Sequence, residues 1–255
     1  MNKNIFVACD TVDPKQIKKA AQLIKKASKP VILAGHGVLI SKATSELKEL
    51  AEKAQIPVIT TLLGISCFPE DHVLWVGWPG MHGMAYASLA IDEADLLVAL
   101  GMRFDDRVTG DLNAFAPNAK VIHVEIDPSE LNKNVAATVP LIGDVKSILR
   151  ELIPNIHPAS HEEWVQRIAE LRLEHPPMRP KVTGELRPQY VLQALSETTG
   201  GDATIVTGVA QHQMWAAQHY TFTKPNSLIT SGGLGTMGFE VPAAMGAQLG
   251  RPDSV

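Results

Sequence analysis

Short, largely apolar segments alternate with amphipathic helices along most of this chain, and that alternation constrains the fold more than any other feature. Pro30-Val-Ile-Leu-Ala34, Pro57-Val-Ile-Thr-Thr61 and Leu96-Leu-Val-Ala-Leu100 lack the polar–apolar period of a half-exposed strand. Such strands are buried on both faces, as in a parallel sheet covered by helices. Lys120-Val-Ile-His-Val-Glu125 and Pro140-Leu-Ile142 extend the set. Between them, Asp13 before Pro14 starts a helix with an N-cap acceptor and the residue suited to the first helical position. That helix is expected to reach about Lys29, and further helices are expected over Ser41 to Ala54 and Met84 to Glu93. Six lysines between Lys15 and Lys29 flank Ile17, Ala20, Ala21, Ile24 and Ala27 at helical spacing, so they read as a solvated face rather than a binding surface.

A doubly wound parallel sheet of this kind binds ligands beyond the carboxyl ends of its strands. The loops there are rich in Gly, Asp and Arg: Gly35 to Gly37, Thr61 to Gly64, Gly101 to Gly110, and Asp127 onward. The composition then shifts. Asn155 to Arg187 places Pro158, Pro176, Pro177 and Pro180 around a charged helical segment bearing Trp164, the pattern of an interdomain linker with a helix in it. A second α/β unit follows: helices over Pro188 to Thr198, Gln211 to Ala217 and Val241 to Leu249, and strands over Ala203 to Val206 and Ser227 to Thr230. Two strands are too few to close a core alone.

Composition excludes several classes. A net charge of -4 and a pI near 6.1 give no electrostatic reason to expect nucleic acid. Cys9 and Cys67 stand far apart without CxxC spacing, so neither a disulfide framework nor a structural zinc site is expected. Nine histidines are scattered without HExxH pairing, and no GxSxG or Cys/His nucleophile signature occurs; no metal site is expected within the chain. No apolar run has the length of a membrane span, and Met1 to Asp10 lack the pattern of a secretory signal. The expected location is cytoplasmic, with an organelle as the alternative.

The strand-end motifs carry the chemistry. Gly35-His36-Gly37 is either a tight structural turn or a ligand contact, because the third glycine of a dinucleotide fingerprint is missing. Gly101-Met-Arg-Phe-Asp-Asp-Arg107 offers two guanidiniums suited to a nucleotide phosphate; the alternative is a salt-bridged loop pairing Arg107 with Asp105 or Asp106. Glu125-Ile126-Asp127 provides a carboxylate for ribose hydroxyls. Gly80-Met-His-Gly83 puts backbone amides within reach of a ligand, while His82 itself is equally a partner for a loop carbonyl. In the second unit, Thr207-Gly-Val-Ala-Gln-His-Gln213 marks a strand-to-helix junction favourable to a diphosphate. Ser231-Gly-Gly-Leu-Gly-Thr-Met-Gly-Phe239 lets a flat ligand lie on the main chain; the alternative is a structural loop.

Taken in order, Arg103-Phe-Asp-Asp-Arg-Val-Thr-Gly110, Gln211-His-Gln-Met-Trp-Ala-Ala-Gln218 and Ser231-Gly-Gly-Leu-Gly-Thr-Met-Gly238 resemble the acetolactate (acetohydroxyacid) synthase catalytic-subunit family of thiamine-diphosphate enzymes. The resemblance implies an α/β fold with residues 1–12 as an N-terminal linker, 13–153 as a central FAD-binding domain, 154–183 as a linker, and 184–255 as the beginning of a thiamine-diphosphate-binding domain. It implies FAD contacts at Gly35, His36, Gly37, Thr61 and Leu62 after the first two strands. Further contacts fall at His82, Gly83, Gly101, Arg103 and Arg107, and at Glu125, Ile126, Asp144 and Val145. Gln211 and His212 would meet the diphosphate of thiamine diphosphate, and Gly235 and Met237 its aminopyrimidine. The implied reaction condenses pyruvate with pyruvate or 2-ketobutyrate, with decarboxylation, in branched-chain amino-acid biosynthesis. The resemblance implies a largely structural FAD, because that reaction involves no net redox change. The implied partners are the 2-ketoacids, further copies of the full-length chain in a homodimer or homotetramer, and a regulatory small subunit.

Two departures from the family pattern bear on the site: Ala210 stands where glycine is usual, and Glu240-Val241 where Gly-Leu is usual. The activating glutamate and the Gly-Asp-Gly start of the Mg²⁺ site are expected outside these residues. The chain is therefore read as a fragment with no catalytic residue of its own. The alternatives are a non-catalytic nucleotide- or FAD-binding module, or part of another FAD-containing thiamine-diphosphate enzyme.

Overall fold

The computed structural model describes residues 13–177 and 185–253; Cys9, the N-terminal linker and residues 178–184 lie outside the described residues. The expected strands form, as β1 (Pro30–Ala34), β2 (Val58–Thr60), β4 (Leu96–Leu100), β5 (Lys120–Glu125) and β6 (Val139–Ile142). A short β3 (Trp75–Gly77) joins them at one edge. All pair in parallel, in the order β3-β2-β1-β4-β5-β6. Successive residues of β1 face opposite sides: Ile32 and Ala34 enter one core, Val31 and Leu33 the other. Both sides are dry, which explains the missing polar period.

One side is covered by α1 (Pro14–Lys26), the short α2 (His36–Ile40), α3 (Thr44–Ala54) and α6 (Val145–Leu152). Asp13 caps α1 by accepting from the Lys15 amide at 2.9 Å. The helix ends at Lys26, short of the expected Lys29, because Ala27 turns extended on the approach to β1. Ser41 terminates α2 rather than opening α3, and Lys42 takes a left-handed conformation between them. The other side is covered by α4 (Ala85–Glu93) and α7 (Glu162–Glu174).

The helix α7 lies in the proline-rich stretch expected to link two units. Its Trp164, Ile168 and Leu171 are buried against the sheet, and the Trp164 indole donates to the Pro30 carbonyl at 3.0 Å. Arg167 of α7 grips Glu93 of α4 through two guanidinium nitrogens, at 2.9 and 3.2 Å.

The second unit consists of α8 (Pro188–Thr199), β7 (Ile205–Thr207), α9 (Gln211–His219), β8 (Leu228–Thr230) and α10 (Glu240–Gly250). β7 and β8 pair in parallel as a two-stranded sheet. Its Ala203, Ala217, Tyr220 and Phe222 join the core on the α4–α7 side of the first sheet. In contrast, Val241, Met245 and Leu249 form an exposed apolar stripe on α10. Among the described residues no helix is long and apolar enough to cross a membrane.

Candidate cofactor site

The chain runs outward from β1 through β2 to β3, then returns to continue through β4, β5 and β6. The chain thus reverses its direction across the sheet between β1 and β4, the place where doubly wound sheets bind ligands at the carboxyl edge. The loops after β1 and β4 touch there. The Gly35 amide donates to the Leu100 carbonyl, the Gly37 amide to the Gly101 carbonyl, and the Gly101 amide to Val124, each at 2.9 Å. His36 opens α2 with its side chain exposed, and partial desolvation lowers its imidazole pKa. Beside it, Thr61 follows β2: its amide donates to the Ala34 carbonyl, and its hydroxyl accepts from the Gly64 amide at 3.2 Å. Leu62 begins the 3-10 turn this hydroxyl caps.

The loop after β4 presents two exposed guanidiniums. Arg103 pairs with Asp105 at 2.7 Å, and Arg107 stands 3.8 Å from Asp106 and 3.9 Å from the Met81 sulfur. Asp105 also caps the short α5 (Asp106–Thr109) by accepting from the Arg107 amide. The loop is thus internally paired, as the salt-bridged reading expects, and exposed pairs of this kind contribute about 0–1 kcal/mol. Beneath the loop lies His123, fully buried in β5, with its Nε2 2.8 Å from the Met102 carbonyl. A carbonyl requires a donor, so Nε2 carries hydrogen. Burial lowers the imidazole pKa, which keeps the ring neutral. Sequence reasoning passed over His123; its signal was a histidine inside an otherwise apolar strand.

Beyond β5, the Glu125 carboxylate folds back to accept from the amides of Ile126 at 2.8 Å and Asp127 at 3.2 Å. Asp144 caps α6 through the Ser147 amide, and the buried Val145 packs beside Gly101. At the opposite edge, the Met81 amide donates to the Arg107 carbonyl at 3.1 Å, drawing the loop with His82 and Gly83 toward the loop after β4. The expected contacts thus spread along the carboxyl edge of six strands. At about 4.8 Å per strand that edge is about 24 Å wide, room for an extended dinucleotide rather than a single small anion.

In the second unit, Gln211 and His212 are exposed in the first turn of α9. Ala210 has φ 172°, an extended conformation open to any residue, so alanine introduces no backbone strain there. Glu240 does not point to solvent: its carboxylate lies against Gly208, and Oε2 is buried without a hydrogen-bond donor. Thr207, Thr230 and Gln213 tie the strand ends together through Oγ1–Oγ1 and Nε2–Oγ1 bonds of 2.8 and 2.7 Å. The loop after β8 is closed by the Thr236 amide on the Ser231 hydroxyl. Within it Gly235 is left-handed and Met237 is 82% exposed. Gly232 sits against Leu63, so this loop adjoins the first unit. Among the described residues no group of three or more His, Cys, Asp or Glu gathers as a metal site.

A doubly wound sheet with arginines and glycines on its carboxyl edge, followed by a second strand–helix junction with an open glycine loop, defines a cofactor-binding α/β protein. Residues 17–152 match the family described as thiamine pyrophosphate enzyme, central domain, and residues 208–255 match its C-terminal TPP binding domain. The chain belongs to the thiamine pyrophosphate enzyme family. It is 49% identical over 245 residues to an acetolactate synthase of Mycobacterium bovis, which covers 93% of this chain and 40% of that protein. A probable acetolactate synthase large subunit of Methanocaldococcus jannaschii is 48% identical over 248 residues, covering 94% of this chain and 42% of its own length. The chloroplastic acetolactate synthase 1 of Nicotiana tabacum is 44% identical over 246 residues, covering 94% and 36%. The chain thus spans about 40% of the length of the curated relatives it matches.

Proposed function

We propose that this chain supplies the FAD-holding domain and part of the thiamine-diphosphate site of an acetolactate synthase, joining pyruvate to pyruvate or 2-ketobutyrate with loss of carbon dioxide. The observation that carries this reading is the loop after β4 at the carboxyl edge, which presents two exposed guanidiniums: Arg103, paired with Asp105 at 2.7 Å, and Arg107, held loosely at 3.8 Å from Asp106. FAD would lie along that edge. Its diphosphate would meet the two guanidiniums and the glycine loops Gly35–Gly37 and Gly101. Glu125 and Ile126 would receive the ribose, and Thr61, Leu62, His82, Gly83, Asp144 and Val145 would line the remainder. His36, whose imidazole pKa is lowered by partial desolvation, would bind by hydrogen bonding.

Gln211 and His212 would hold the diphosphate of thiamine diphosphate at the N-terminus of α9, where amides and the helix dipole favour an anion. The left-handed turn at Gly235 exposes main chain to the aminopyrimidine, and the exposed Met237 side chain is free to support it. When bound, thiamine diphosphate supplies the centre on which a 2-ketoacid is decarboxylated; the protein orients it and excludes water. Glu240 opposes this fit, since its carboxylate lies against Gly208 in the loop that would receive the diphosphate. Mg²⁺ bound to that diphosphate would offset the charge. Assembly as a homodimer or homotetramer, with a regulatory small subunit, accords with the "large subunit" in the name of the Methanocaldococcus relative.

The test is a chimera in which this chain replaces the matching segment of the Mycobacterium bovis acetolactate synthase. Supplied with FAD, thiamine diphosphate and Mg²⁺, it is expected to form acetolactate from pyruvate. A folded, FAD-loaded chimera without turnover would favour the second reading, a non-catalytic FAD-binding module, for which the Glu240 carboxylate is the supporting observation.

A further inference from the structure

Between β2 and β3 the chain passes through Cys67, Phe68 and Glu70, all buried. Glu70 makes a reciprocal contact with the second unit: its amide donates to the Phe222 carbonyl at 3.1 Å, and its Oε2 accepts from the Phe222 amide at 3.0 Å. Its other oxygen, Oε1, is buried with no donor at all. Phe222 and its neighbour Tyr220 are themselves fully buried, with rings 4.8 Å apart, in the core that both units share. An acidic side chain therefore stands inside an apolar seam, facing one main-chain N–H.

Among the described residues no cation forms an ion pair with the Glu70 carboxyl. The Cys67 thiol is pushed up by burial and stays uncharged. Tyr86 of α4 is likewise raised by burial and stays a phenol. Arg172 of α7 spends its Nη2 on the carbonyls of Trp75 and Val76, both at 3.1 Å, and its guanidinium lies over the Tyr86 ring. From the second unit, the Tyr220 hydroxyl is engaged with the Ala203 amide and Thr199.

We propose that Glu70 is a proton-operated latch between the two units: its uncharged carboxyl holds the Tyr220–Phe222 segment in the seam, and its ionisation loosens that segment. A neutral carboxylic acid can accept from Phe222 through its carbonyl oxygen and leaves no buried charge. A carboxylate in the same place must be desolvated against a single amide, so ionisation favours opening of the seam. Burial pushes the Glu70 pKa up to about 8, with the Phe222 amide acting weakly in the opposite direction. The folded state then binds one more proton than the unfolded chain between an ordinary glutamate pKa of 4.5 and about 8. The latch is at full strength below that window and weakens as pH rises through it.

The test compares the intact chain with Glu70→Gln, which keeps the shape and the acceptor but cannot ionise. Denaturant unfolding is followed from pH 5 to pH 9, with hydrogen exchange at the Phe222 amide corrected for its intrinsic rate. The ratio of the two folding constants should fall by up to about tenfold per pH unit as pH rises toward 8, then level off. Protection at Phe222 should fall over the same range in the parent chain and not in Glu70→Gln. Parallel pH curves for the two proteins would overturn the proposal. Should Glu70→Gln not fold, infrared spectra of the parent chain decide: a neutral carboxylic-acid band should persist at pH 7 and disappear as pH passes about 8. Absence of that band at pH 7 would overturn the latch.

Discussion

Gly37 and Gly101 meet main chain to main chain at the carboxyl edge of the first sheet. The Gly37 amide donates to the Gly101 carbonyl at 2.9 Å, and a Cβ on either residue would fall 2.6 Å from the Cα of the other. This contact locks the loops after β1 and β4 together at the ligand edge of the sheet. Gly101 is in addition left-handed, with φ +57°.

Gly101→Ala should therefore both strain the backbone and force the loops apart. A left-handed non-glycine residue costs about 1–2 kcal/mol, and overpacking typically adds about 1–3 kcal/mol. Denaturant unfolding should show a loss of about 2–5 kcal/mol for this variant, together with weaker FAD retention. A stability change within experimental error would show that the loops tolerate separation.

The indole of Trp164 ties α7 to the sheet through the Pro30 carbonyl. Trp164→Ala should cost about 3–5 kcal/mol, and near-ultraviolet circular dichroism should lose signal from the first unit. If α7 merely hung between the units, the loss would be below about 1 kcal/mol.

His123 makes the first unit sensitive to acid. Its folded pKa is lowered by burial, so the unfolded chain takes up a proton more readily than the folded one. Stability should be full above the ordinary histidine value of 6.5 and fall as pH drops below it. Thermal unfolding between pH 7.5 and 5 (roughly the histidine range) should show a falling midpoint in the parent chain. His123→Gln, which retains a donor for the Met102 carbonyl, should flatten that dependence. An equally steep curve in the variant would assign the acid sensitivity to the other histidines whose pKa is lowered in the fold, His36, His161 and His219.

Glu240 places a carboxylate against the loop proposed for the diphosphate. In the chimera, Glu240→Gln should bind thiamine diphosphate roughly tenfold more tightly, the effect of removing about 1.4 kcal/mol of like-charge repulsion. Calorimetric titration measures this, and equal affinities would mean that Mg²⁺ or solvent already neutralises the charge.

The first sheet was legible because β1 and β4 are five-residue apolar runs with no other stable place in a soluble fold. β3 was not, because three residues at a sheet edge carry too short a pattern, and Trp75 and Gly77 signal no period. The five-residue α2 hid behind a Gly-His-Gly that reads as a turn. The packing of α7 was obscured by its flanking prolines and charges, although Trp164, Ile168 and Leu171 stand at helical spacing. The fold class places the loops at the ligand edge, whereas the particular contact residues there came from the family resemblance. Glu70 could not, since a single glutamate ordinarily signals exposure and only the seam with Phe222 reveals its burial. The orientation of Glu240 toward Gly208 likewise depends on how α10 meets β7, which no local pattern encodes.

The most direct measurement is an FAD titration of the purified chain, read by visible absorption and flavin fluorescence, alongside an Arg103→Ala/Arg107→Ala double variant. The account predicts a yellow protein that copurifies with FAD or takes it up in a one-to-one ratio (one ligand edge per chain), with affinity in the double variant reduced by at least about tenfold. A well-folded chain that neither carries nor takes up FAD would contradict it.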